Sequence, residues 1–169
     1  MRVGTALKQG LAKVGRARGD RHYSQALVEV ERLLEISPAN PSLLILRAQL
    51  IQLQEDEAGA PTLDDARMDL KLAADLDEQS PVALIELGYL LYAMADDAKA
   101  ASRYFQKAIP LCKDLLKEAL IGQAKAFSEL ERDADALACL AEAYSLLSPN
   151  GKSSSEDLLE QWKSLQRAN

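Results

Sequence analysis

The sequence has little of what most catalytic and metal-binding proteins rely on. Its 169 residues include one histidine, two cysteines and one tryptophan. Any histidine-based acid–base pair, triad or multi-histidine metal site would have to include His22 or do without. Cys112 and Cys139 stand apart without CxxC spacing, so neither a disulfide framework nor a zinc site is signalled. In alanine- and leucine-rich surroundings both are expected to pack as small apolar groups. No GxxxxGK[ST] or GxGxxG loop exists to cradle a phosphate. Aromatics make up 5% of the chain and β-branched residues are sparse, whereas alanine and leucine abound. That balance favours helix over strand, because unbranched side chains lose little rotamer freedom on a helix. The longest apolar runs, such as Leu43 to Leu46 and Leu87 to Leu91, fall far below the roughly 18 to 20 residues that span a bilayer. The N-terminal stretch MRVGTALKQGLAKVGRAR is basic, but Lys8 and Lys13 interrupt the apolar block a secretory leader needs. A cytoplasmic location is the expectation.

What is present is 48% hydrophobic and 27% charged residues, the balance of a soluble folded domain with one continuous core. Charge is unevenly spread. Residues 1 to 22 carry Arg2, Lys8, Lys13, Arg16, Arg18 and Arg21 against the single acid Asp20, while residues 55 to 97 carry twelve acids against Arg67 and Lys71. Such an asymmetry either orients partners or brings two copies together head to tail; the simpler reading is solvated helix faces. A net charge of −6 opposes contact with phosphate backbones, so no nucleic-acid partner is expected.

An internal repeat organises the chain. An alanine is followed by apolar or small residues four, seven and ten positions later in four places: Ala26/Val30/Leu33/Ile36, Ala66/Leu70/Ala73/Leu76, Ala101/Phe105/Ala108/Leu111 and Ala136/Leu140/Ala143/Leu146. Those offsets put the side chains on one stripe of a helix, here helix B of each unit. A second stripe precedes three of them: Leu44, Ala48 and Ile51; Leu84, Gly88 and Leu91; Leu120, Ala124 and Phe127. This is helix A, whose central small residue lets helix B approach closely. Asn40-Pro41 and Ser80-Pro81 place a capping side chain before a proline suited to a first helical turn. Thr62 with Asp65 reads as a capping box, and QEDEAGAPT as an insertion in the A-to-B turn of the second unit.

These residues resemble the tetratricopeptide repeat, a helix-turn-helix unit of 34 residues. The best copy runs through Leu84, Leu87, Gly88 and Leu91 to Ala101, Phe105 and Ala108; Tyr23, Ala26 and Pro38 match in the first copy. The resemblance implies an all-α fold, an α-α superhelix wound as a right-handed solenoid of about four helix pairs. The array occupies 1–152, with repeats over 5–38, 41–78, 81–113 and 117–149. A capping helix over 153–169 follows, with Leu158, Leu159, Trp162 and Leu165 on its apolar face. The sequence departs from the family pattern in lacking the helix A tryptophan and, after three repeats, the closing proline. Pro110 falls inside helix B of the third repeat, where that helix is expected to end early or kink.

In such repeats helix A lines a concave groove that holds segments of other proteins. Carried across column by column, the groove comprises Ile45, Gln49 and Gln52, then Val82, Ile85, Tyr89 and Tyr92, then Ile121, Lys125 and Ser128, with Thr5, Lys8 and Ala12 from repeat one. The family's clamp for acidic C-terminal tails is not expected: Ala12, Leu46, Val82 and an unpaired Glu86 stand where its cationic and amide side chains would. Asp64, Asp65 and Asp69 in DDARMD are similar to the magnesium-binding aspartates of isoprenoid synthases. The first two read more simply as first-turn acids favoured by the helix dipole. No enzyme activity, cofactor or metal is expected. The function implied is a protein-interaction scaffold, adaptor or chaperone, a secretion chaperone among them, that holds an apolar or amphipathic segment. The alternative is a self-associating structural protein, and a homodimer is left open.

Overall fold

The structure, a computed structural model, describes residues 3–54 and 59–147. Among these there are seven helices and no strand: α1 (Val3–Gly19), α2 (Tyr23–Ile36), α3 (Pro41–Ile51), α4 (Leu63–Leu76), α5 (Val82–Ala93), α6 (Ala98–Glu129) and α7 (Asp133–Leu147). The fold is all-α and tetratricopeptide-like, with α1/α2 and α3/α4 as the first two helical hairpins. The chain divides into two compact units, Met1–Ala108 and Ile109–Asn169. The helix expected over 153–169, Trp162 included, lies outside the described residues.

In the first unit α3 and α4 begin where the sequence supplies caps. Asn40 Oδ1 accepts the Leu43 N–H at 3.2 Å, with Pro41 opening α3. Thr62 and Asp65 form the reciprocal box: the Asp65 N–H donates to Thr62 Oγ1 at 3.3 Å and the Thr62 N–H donates to Asp65 Oδ2 at 2.7 Å. The Thr62 N–H and, at 2.8 Å, the Thr62 hydroxyl both donate to that carboxylate and hold it below its ordinary pKa. Ser80 does not do for α5 what Asn40 does for α3. Its hydroxyl reaches only the Val82 N–H, at 3.4 Å, and α5 starts without a side-chain cap. The A-to-B turns share a backbone device: Arg21, Gly59 and Asp96 each adopt positive φ, and only one of them is glycine.

The alanine stripe becomes the core. Ala26, Val30 and Leu33 of α2 and Ala66, Leu70 and Ala73 of α4 are buried, as are Ala101 and Ala108 at the start of α6. The fourth column does not follow. Ile36 and Leu76 are the last residues of α2 and α4 and stand exposed, because each helix ends before its neighbour can cover them. Helix A supplies Leu44, Ala48 and Ile51, then Gly88 and Leu91, to the same interior. The small central residue works as its spacing implies at Gly88, which lies against the Phe105 ring; Gly10 of α1 likewise lies against Leu33.

One polar cluster ties three helices together. Arg47 of α3 donates through Nη1 to Asp69 Oδ2 of α4 at 2.7 Å and through Nη2 to Glu31 Oε1 of α2 at 3.1 Å. Burial pushes the Asp69 carboxyl above its ordinary pKa, outweighing the pull of Arg47. Burial also works against the Arg47 charge, but its bonds to Asp69 and Glu31 prevail and raise its pKa.

The second unit corrects the sequence reading at one junction. Helix B of the third repeat and helix A of the fourth were expected to separate between 113 and 117, and one alternative ended helix B early at Pro110. Instead α6 runs unbroken from Ala98 to Glu129 with Pro110 inside it. The segment LCKDLLKEA offers no glycine or asparagine for a turn, and its leucines, lysines and alanine all favour helix. Pro110 removes one N–H from the ladder and its ring crowds the carbonyl of Gln106, at a cost of about 3 kcal/mol or more, and the helix-favouring residues on either side continue α6 past it. Ala124, Ala136 and Leu140 form the local core, with Ile121, Phe127 and Cys139 packed on it. Cys139 therefore packs as expected, whereas Cys112 is exposed. The α6-to-α7 turn again uses a positive φ, at Glu131.

Candidate binding groove on α3 and α5

The residues assigned to the groove fall on single stripes of their helices. Ile45 and Gln49 of α3 and Gln52, which caps its end, are separated by four and three positions; on α5, Val82, Ile85, Tyr89 and Tyr92 are separated by three, four and three. The α5 stripe is the more open. Val82 is 45% exposed, Tyr89 58% and Tyr92 63%, while Ile85 and the three α3 residues are half-buried.

The two stripes meet at two points. Gln49 Nε2 donates to Glu86 Oε1 at 2.7 Å, joining α3 to α5. Glu86, expected to be unpaired, thus has an amide partner supplied from 37 positions earlier, a contact that helical spacing cannot announce. Nearer the helix N-termini, Ile45 and Val82 both line a cavity of about 210 Å³, together with Pro41, Ser42, Ala73, Asp77, Ser80 and Ala83. Gln52 turns back to donate to its own helix at the Ala48 carbonyl, 3.1 Å away, and contributes less to the open wall.

Tyr89 is positioned from below. Its ring meets Phe105 edge to face, centroids 5.2 Å apart at 74°, and Phe105 itself sits where Gly88 leaves room. The exposed tyrosine is therefore seated on a core aromatic rather than held out on a free arm, which lowers the entropy a partner must remove on binding.

Ile121 and Lys125 belong to the second unit, where Ile121 packs on Ala124, Ala136 and Leu140 and Lys125 is exposed. Repeat one shifts register. The His22 N–H bonds the Ala17 carbonyl as the Arg132 N–H bonds the Phe127 carbonyl, so Ala17 corresponds to Phe127 and Val14 to Ala124. The α1 residues equivalent to Ile121, Lys125 and Ser128 are then Leu11, Gly15 and Arg18 rather than Thr5, Lys8 and Ala12. All six are exposed.

The acidic run DDARMD is divided among separate partners: Asp64 pairs with Arg67 at 2.9 Å, Asp65 caps α4 with Thr62, and Asp69 holds Arg47. Among the described residues no three His, Cys, Asp or Glu side chains gather to hold a metal ion. His22 is exposed at the start of α2 and makes no capping bond; with Tyr23, Gln25 and Gln54 it edges an open depression of about 470 Å³. No described helix is long and apolar enough to cross a membrane.

Comparison with known proteins agrees with this architecture. A solved crystal structure of a protein named MamA aligns with a TM-score of 0.53 at 20% identity, covering 97% of this chain and 92% of that one. A second MamA structure aligns with a TM-score of 0.49 at 20% identity, over 91% and 92% of the two chains. At that identity the first likeness concerns the fold. No family model matches the sequence, and no curated protein matches it.

Proposed function

We propose that the protein is a non-enzymatic interaction scaffold that holds an apolar or amphipathic segment of another protein against α3 and α5. The observation that carries this reading is the α5 stripe: Val82, Tyr89 and Tyr92 stand open to solvent in one row, with Tyr89 seated on Phe105. Tyrosines offer large contact area with two rotatable angles to freeze, which suits a surface that binds rather than one that merely solvates. A groove of this extent gives modest, micromolar-class affinity, since ordering costs absorb much of the gain. The test is a pull-down from native lysate with the wild type and with Tyr89→Ala/Tyr92→Ala. The variant keeps its helical circular dichroism and loses its stoichiometric partner. A folded variant that retains every partner overturns the groove assignment.

A second reading, self-association, draws on α1, whose last turn carries Arg16 and Arg18 and whose first turn has no acid, against the acidic stretch after residue 55. It predicts salt-sensitive light scattering that rises with protein concentration.

A further inference from the structure

The cavity between Ile45 and Val82 has a specific chemical character. At about 210 Å³ it is smaller than the ~300–1,000 Å³ of small-molecule sites, and it suits one side chain. Its walls are aliphatic: Ile45 from α3, Val82 and Ala83 from α5 and Ala73 from α4. Its polar lining is Asp77, which caps the end of α4, with Ser80 and Ser42, and Pro41 completes the wall.

The end of α4 is acidic. Helix C-termini carry partial negative charge and favour cations, and α4, like every described helix except α1, has no basic residue of its own in its last turn. Asp75, Asp77 and Glu78 cluster there instead, all exposed. The Asp77 carboxylate accepts no hydrogen bond from any described residue; only its backbone is engaged, through Asp77 N–H to Ala73 O and Ser80 N–H to Asp77 O. The Asp77 carboxylate, just past the negative end of α4, thus lies without a protein partner on the lining of an aliphatic pocket.

We propose that this pocket receives a lysine or arginine of the bound partner, its aliphatic stem between Ile45 and Val82 and its cationic head at Asp77, so that the groove selects basic amphipathic segments. The stem-and-head division is how long cationic side chains cover apolar surface while keeping their charge solvated. The inference rests on the reading of α3 and α5 as a protein-binding surface and adds the partner's charge to it.

The test uses three dye-labelled synthetic helical peptides with leucine on one face and, respectively, lysine, glutamine or glutamate on the other, titrated into the full chain with anisotropy as readout. The lysine peptide binds tightest and the glutamate peptide weakest. Asp77→Asn reduces the preference for lysine over glutamine by about fivefold, the scale of one partly exposed ion pair, and leaves glutamine-peptide binding unchanged. Glu118→Gln, which removes a charge from the other unit, leaves the preference intact and so separates a local site from net charge. Tyr89→Ala/Tyr92→Ala weakens all three peptides. Equal binding of the lysine and glutamine peptides, or a preference that survives Asp77→Asn, overturns the pocket assignment while the tyrosine variant still upholds the groove. Absence of binding by any peptide overturns the groove reading and this inference with it. Concentration-dependent dimers in sedimentation that Asp77→Asn dissolves would make a second copy of the chain the occupant and overturn the proposal of a separate partner.

Discussion

The ring of Phe105 fills the space that a side chain at Gly88 would need: a Cβ built on Gly88 would lie 2.6 Å from Cε1 and 2.7 Å from Cζ. The same ring carries the edge of Tyr89. One glycine on helix A therefore sets how deeply an aromatic of helix B enters the core, and through that ring it sets the seat of an exposed groove tyrosine.

This gives a contrast between glycines. Replacing a mid-helix glycine by alanine ordinarily stabilises by about 0.5–1 kcal/mol, and Gly15→Ala follows that rule because nothing lies within 4 Å of its Cβ position. Gly88→Ala reverses the sign. Displacing a packed ring costs about 1–3 kcal/mol, so the variant is less stable by about 1–2 kcal/mol in urea unfolding. Its near-ultraviolet circular dichroism changes as Tyr89 loses its seat. Equal gains from both substitutions would show that Phe105 moves aside freely.

The hairpin turns give a second contrast. Arg21, Asp96 and Glu131 sit at φ of 59°, 49° and 57°, a region that costs a residue with a Cβ about 1–2 kcal/mol. Glycine removes that cost and returns part of it as unfolded-chain entropy. Arg21→Gly, Asp96→Gly and Glu131→Gly each stabilise by about 0.5 kcal/mol, and Gly59→Ala destabilises by more. Thermal unfolding of the four single variants decides it. A loss of stability in all three glycine variants would mean that these side chains make compensating contacts.

The stripes of Ala26, Ala66, Ala101 and Ala136 were legible because burial repeats with the helical period, and the capping box at Thr62 because it lies within four residues. Three features were not. The turns carry no glycine except at the insertion, so their left-handed residues look like ordinary polar positions. The α6 junction has a proline but no turn chemistry after it, and a proline alone does not end a helix. In repeat one, Val14 stands in the column that Ala124 occupies in the fourth, so no small residue marks the centre of helix A and its register could not be read from spacing. The groove stripes on α3 and α5 follow from spacing; their cross-links, Gln49 to Glu86 and Ile45 to Val82, join residues 37 positions apart and had to be seen in the fold.

Asp69 and Arg47 give the prediction with a pH dependence. The side chains are 13% and 20% exposed and bonded at 2.7 Å, so Arg47→Met leaves a largely buried carboxylate without its cation. Breaking such a pair costs about 2–3 kcal/mol at neutral pH, toward the low end for buried pairs because water still reaches this one. Burial already holds the Asp69 carboxyl above its ordinary pKa despite Arg47. A group with a raised folded-state pKa contributes its full stability below the unfolded value and loses it as pH rises through the folded one. Removing Arg47 raises the folded value further and extends that loss to higher pH. The penalty of Arg47→Met is therefore smallest near about pH 4, where Asp69 is largely protonated in the variant, and grows toward about pH 7. Urea unfolding of wild type and variant at the two pH values reads the difference directly. Arg47→Met/Asp69→Leu, which removes both charges, regains most of the lost stability at neutral pH and flattens the dependence. A penalty that grows on acidification would show that Asp69 is held ionised by Arg47 more strongly than burial opposes it.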